Sequence, residues 1–194
     1  MGTALASMKR IGLAGVGTAA LGVVACAVSL WAISGTQGIL GAGLALLMLA
    51  IAVIDLRYFI IPNELTAAAL ALALLSAALD AMPSTIESVA IALLRGAVTM
   101  LFFLAIRWVF RRLRQREGLG LGDVKLAFVA GAWLDWMLIP VAIEIAALAA
   151  LVAYGAWRLS GSGIIDATSR LPFGLFFAPA IWLTWLVGAL IFNV

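Results

Sequence analysis

Two aspartates stand out in a chain that carries little charge: Asp55, in Ile54-Asp55-Leu56-Arg57, and Asp123, in Gly120-Leu121-Gly122-Asp123-Val124-Lys125. There is no histidine and only one cysteine, Cys26, so neither a His-based triad nor a zinc cluster nor a disulfide framework can be assembled. The sequence therefore calls for no metal and no cofactor, and carboxylates, lysine and hydroxyls remain as catalytic groups. Two carboxylates gathered in low dielectric are costly to ionise together, so such a pair tends to keep one proton between them. That is the state peptide hydrolysis requires: the ionised member takes a proton from water while the protonated member donates to the scissile carbonyl.

Taken alone, Asp55 is as well explained by pairing with Arg57 or capping the next helix as by catalysis. Asp123 is set apart by Gly118, Gly120 and Gly122, which remove side chains just before it, so that the backbone can bend and a substrate strand can come close. An ordinary helix N-cap needs an aspartate but not three alternating glycines.

The elements that must position these residues are membrane helices. Of 194 residues, 66% are hydrophobic and 11% charged, and the mean hydropathy of +1.22 lies far outside the range of a soluble domain. The expected fold is all-α, a polytopic transmembrane bundle of about six to seven spans forming a single membrane domain over residues 1–194. Apolar runs place the spans near 11–33, 38–56, 61–80, 87–107, 122–137, 138–157 and 172–192, the fifth being the least regular. The net charge of +3 does not indicate nucleic acid, because the basic residues sit beside apolar spans. Lys9, Arg10, Arg57, Arg107, Arg111, Arg112, Arg114, Arg116, Lys125, Arg158 and Arg170 all fall on one side if the N-terminus is cytoplasmic, and the opposite loops carry Asp80, Glu87 and Asp135. Asp55 and Asp123 then lie at the same, cytoplasmic, boundary. Cys26, behind Val23-Val24-Ala25, faintly resembles a lipoprotein signal, but the run around it is long for a signal segment and reads as the first span.

Trp31, Trp108, Trp133, Trp136 and Trp157 are expected in the interfacial belts. Arg95 is the basic residue left over. It lies 8 residues into span four from Glu87, and Glu144 lies 7 residues into span six from Met137, so their depths match and a buried ion pair between them is expected. Ser88, Arg95 and Thr99 share a stripe of span four that should face the bundle interior.

The segment from Asp55 through Pro62-Asn63-Glu64-Leu65-Thr66 resembles the first catalytic motif of the type IV prepilin peptidases. Gly120-x-Gly122-Asp123, followed by Lys125-Leu126, resembles their second, and Leu171-Pro172-Phe173-Gly174 resembles a Pro-Phe-Gly element near the end of those enzymes. The likeness covers roughly residues 40–190. It implies an intramembrane aspartic endopeptidase with Asp55 and Asp123 as the catalytic pair, cutting the basic leader from prepilins or pseudopilins at the cytoplasmic face of a bacterial inner membrane. Gly120, Gly122, Pro62, Asn63 and Lys125 would be supporting motif residues, Pro62 and Asn63 as a tight re-entry into span three. Long members of that family carry a four-cysteine zinc domain and also methylate the new N-terminus; a chain with one cysteine is expected to be the short form found with Flp or Tad-type pili. The presenilin class shares Gly-x-Gly-Asp, but its Tyr-Asp and Pro-Ala-Leu elements do not occur here. A proton-coupled transporter or channel is the alternative, and it would spread acids through the bilayer rather than place two at one surface.

Overall fold

The computed structural model describes residues 2–80, 84–115, 118–159 and 172–192, with side chains for all of these except 2–16, 80 and 192. Lys9, Arg10, Asp80, Arg116, Arg170 and Leu171 fall outside the described side chains. Seven helices follow in order: α1 Gly2–Ala32, α2 Thr36–Tyr58, α3 Asn63–Asp80, α4 Thr85–Arg114, α5 Leu121–Trp133, α6 Leu138–Leu159 and α7 Phe173–Phe192. Each expected apolar run thus becomes one helix, and no strand occurs among the described residues. Four helices, α2, α4, α6 and α7, are long and apolar enough to cross a membrane, while α3 and the described part of α1 are shorter apolar helices. The protein is a polytopic helical membrane bundle.

The fifth run differs from a spanning helix. With 13 residues, α5 is about 20 Å long, less than the roughly 30 Å of a bilayer's hydrocarbon core. Its surroundings replace lipid: Val124, Leu126, Ala127, Val129, Ala130, Ala132 and Trp133 are all buried against α3, α4 and α7. Small residues make this approach possible. A Cβ on Gly131 would fall 2.6 Å from the Arg95 carbonyl, and one on Gly96 would fall 2.9 Å from the Phe128 carbonyl, so α4 and α5 meet nearly backbone to backbone. Leu44, Met48 and Ile51 of α2 and Phe177 and Ile181 of α7 complete the core, and Phe103 stacks on Phe177 with ring centroids 5.5 Å apart.

Two expectations fail on lateral placement. Trp133 is buried rather than interfacial, donating its indole N–H to the Ala69 carbonyl at 3.1 Å and packing edge-on against Trp185. Trp31, Trp108, Trp136 and Trp157 are exposed, as belt residues should be. Arg95 does lie on the interior stripe with Thr99, but its guanidinium pairs with Asp135, just beyond the end of α5, and not with Glu144. The reason is azimuthal: α4 packs on α5 and α3, whereas α6 packs chiefly on α7 and turns Glu144 outward. Similar offsets along their helices did not make the two residues neighbours.

Candidate active site

The helix ends that matter meet at one end of the bundle. Helix α2 ends one turn after Asp55: Phe59 takes the left-handed conformation at φ 55° and its N–H returns to the Asp55 carbonyl at 2.9 Å. A non-glycine residue there costs about 1–2 kcal/mol, and the result is a sharp reversal that brings Pro62 and the start of α3 back beside Asp55. Pro62 sits just before the first turn of α3, its carbonyl accepting the Thr66 N–H at 3.2 Å while the Thr66 hydroxyl donates to the Asn63 carbonyl at 2.9 Å. The re-entry read from the sequence is therefore a four-residue turn.

Asp55 is only 5% exposed. Its Oδ2 accepts the Leu175 N–H at 3.0 Å, one of the free N–H groups of the first turn of α7, where the helix dipole also favours negative charge. This arrangement explains Pro172-Phe173-Gly174. A Cβ on Gly174 would lie 2.8 Å from Asp55 Oδ2 and 2.8 Å from Ile61 Cδ1, so only glycine lets the N-terminus of α7 reach the carboxylate. Arg57, the simple structural partner for Asp55, makes no ion pair with it among the described residues.

Asp123 occupies the first turn of α5 and is 9% exposed. Its Oδ2 accepts the Gly120 N–H at 3.1 Å, a bond that an acidic residue three positions into a helix commonly makes to the N-cap backbone. The neighbouring glycines are filled by the protein itself rather than left open for substrate: a Cβ on Gly122 would press on Ile61 at 3.0 Å, and one on Gly118 on the Phe110 ring at 2.5 Å. Gly122 thus lets the Asp123 turn settle on the segment that follows Asp55. Lys125 Nζ donates to Asn63 Oδ1 at 2.6 Å, a second tie between the two motifs.

Asp55 and Asp123 open into one cleft of about 560 Å³, lined also by Phe59, Ile61, Asn63, Glu64, Gly120 and Lys125. They are close enough for their charges to interact. Among the described residues neither carboxylate has a basic partner, and no group of acids, cysteine or histidine suited to a metal occurs. Two buried carboxylates facing one open cleft, each steadied by a backbone N–H, can divide the roles of acid and base on a bound peptide. Sequence reasoning named both aspartates, both glycines, Pro62, Asn63 and Lys125, and the structure brings all of them together. It missed Ile61 and the Leu175 N–H. Ile61 is an ordinary apolar residue, and a backbone donor has no residue signature.

A sequence model described as the type IV leader peptidase family matches residues 42–155. A protein of Burkholderia pseudomallei named prepilin leader peptidase/N-methyltransferase is 37% identical over 139 residues, covering 70% of this chain and 42% of that protein. Proteins of the same name from Xanthomonas campestris pv. campestris (30% over 166 residues, 85% of this chain and 56% of the relative) and Pectobacterium carotovorum (33% over 127 residues, 66% and 43%) are also similar. The chain spans about half the length of these relatives. No solved structure matches it.

Proposed function

We propose that this chain, which belongs to the type IV leader peptidase family, is an aspartic endopeptidase that removes the leader of prepilin-like proteins, with Asp55 and Asp123 as its catalytic pair. The observation that carries the reading is the cleft itself. Two carboxylates from motifs 68 positions apart in sequence, both nearly buried, reach the same opening, and neither is neutralised by a cation among the described residues. Burial of that kind without a counter-charge is costly, and it is what a shared-proton dyad needs.

In this reading the peptide carbonyl settles between the two carboxyl groups. The ionised one removes a proton from a water as its oxygen attacks the carbonyl carbon, and the protonated one gives its proton to the carbonyl oxygen. Collapse of the tetrahedral intermediate breaks the C–N bond, with a proton delivered to the departing amine and the dyad returned to its starting state. A prepilin suits the location, since it is an apolar helix preceded by a polar leader, and its cut lies where a membrane boundary would put it. We place the cleft at the cytoplasmic face because Arg57, Arg107, Arg111, Arg112, Arg114 and Lys125 gather at that end.

Co-expression with a candidate prepilin, read by mass, tests this. The native protein should shorten the substrate by the leader mass, and the Asp55→Asn and Asp123→Asn proteins, inserted normally, should leave it intact. Cleavage by either variant would remove the dyad.

A further inference from the structure

The Asp123 carboxylate is held by the Gly120 N–H, and that N–H belongs to the same peptide group as the Leu119 carbonyl. That carbonyl is itself taken: the guanidinium of Arg107, on the last third of α4, donates Nη1–H to it. The chain of contacts runs from a cation, through one peptide unit, to a catalytic carboxylate. A donor on a peptide's carbonyl oxygen draws electron density away from its nitrogen and makes the N–H a stronger donor, so the two bonds reinforce each other. Phe110, one turn further along α4, also supports this loop, filling the space where a Cβ of Gly118 would stand.

We propose that Arg107 is a positioning residue for the reaction, acting on Asp123 through the Leu119–Gly120 peptide to fix the carboxylate and favour its ionised form. The inference rests on the peptidase reading of the cleft. It separates Arg107 from Arg111, Arg112 and Arg114, which the charge pattern alone would treat as one orientation signal. Other groups also bear on Asp123: Asp55 from α2, Glu64 from the first turn of α3 and Lys125 from α5 all line the cleft, while α7 presents the Leu175 N–H to Asp55 and no charged side chain. None of these approaches through the Leu119 carbonyl.

The test is the pH profile of kcat/KM for leader removal. An acid pair loses activity as pH falls and its base becomes protonated; a contact that favours the ionised form extends activity to lower pH. Loss of that contact therefore moves the acid limb upward. Arg107→Gln is expected to shift it up by about half a pH unit, the size of a partial strengthening of one charge-assisted hydrogen bond. Arg107→Lys, which keeps a cationic donor, should restore most of the shift, and Arg107→Met serves as a second neutral variant if the Gln protein does not insert. Arg111→Gln removes the same charge from the same face and should leave the limb in place. An unmoved limb in both neutral variants, or an equal movement in Arg111→Gln, overturns the proposal whatever happens to the rate. If instead the native protein removes no leader, the peptidase reading itself fails, and if Asp123→Asn still cleaves, the dyad assignment fails; both results are distinguishable from an Asn variant that is dead beside an Arg107 limb that stays.

Discussion

The two ends of this bundle treat their acids in opposite ways. At the end that holds the cleft, Asp55 and Asp123 are nearly buried and receive only backbone N–H groups. At the other end Asp135 is mostly exposed and is paired with Arg95, in a smaller cavity that also holds Gln37, Ser76 and Trp133. There Ser76 donates to Gln37 at 2.8 Å, tying the end of α3 to the start of α2. Structural economy puts acids in water or beside cations; the cleft does neither. An acid kept out of water without a counter-charge is the costlier arrangement. Its presence at one end only, among the described residues, is what supports the proposed chemistry at that end, and it also disfavours a proton relay through the bilayer, which would need acids at intermediate depth. Among the described residues Glu144 is the one such acid, and it faces outward.

Substitutions at the cleft should have the largest effects. The Asp55→Asn and Asp123→Asn changes should each lower leader removal by a factor of about 10³ or more, and the double variant should be no worse than either, because in the proposed mechanism the pair works as one unit. Additive losses in single-turnover assays would mean that the two residues act separately. Gly174→Ala comes next: the new methyl group must push the Asp55 carboxylate or Ile61 aside, so cleavage should fall about 10- to 100-fold and stability by about 1–3 kcal/mol. A Gly174→Ala protein with native kcat would show that α7 does not position Asp55. The Lys125–Asn63 bond lies at the cleft's exposed rim, so Asn63→Ala and Lys125→Met should each cost only a few-fold in kcat/KM, and together no more than one alone.

The sequence was most legible where distance along the chain sets the structure. Every apolar run became a helix because length and hydropathy suffice for that, and the glycine-rich approach to Asp123 and the proline after Asp55 marked the turns that bring the motifs together. What could not be read was which side of a helix meets which neighbour. The place of Arg95 on the interior stripe of α4 was legible, but its partner depended on α5 lying inside the bundle as a short helix ending beside Arg95, and α5 is short in a run whose apolar character alone suggests a span. Trp133 was misplaced for the same reason. The role of Gly174 was invisible too, since a glycine explains itself only through the atom it makes room for, here Asp55 Oδ2, 119 positions earlier in the chain.

The smallest expected effect is the one that tests the other end. Arg95 is 13% exposed in its side chain and Asp135 is 74% exposed, so the pair is lopsided. Removing Arg95 releases Asp135 into water at little cost, whereas removing Asp135 leaves a mostly buried guanidinium without its acid partner, and Arg95 Nε already has no hydrogen-bond partner among the described residues. Asp135→Ala should therefore destabilise the protein more than a surface acid would, by about 1 kcal/mol, and Arg95→Leu by less than a fully buried charge pair would imply. Because water reaches Asp135, screening limits the coupling in a double-mutant cycle to about 0.5–1 kcal/mol. The same cycle between Arg95 and Glu144 should give zero within error, since α4 packs on α5 and α3 while α6 packs chiefly on α7, and Glu144 is exposed. Unfolding in detergent measures both cycles, and leader removal should be untouched in all of these variants because the cleft is at the far end. A larger coupling to Glu144 than to Asp135 would reverse the lateral arrangement of α4, α5 and α6, and with it the reason for treating the two ends as different in kind.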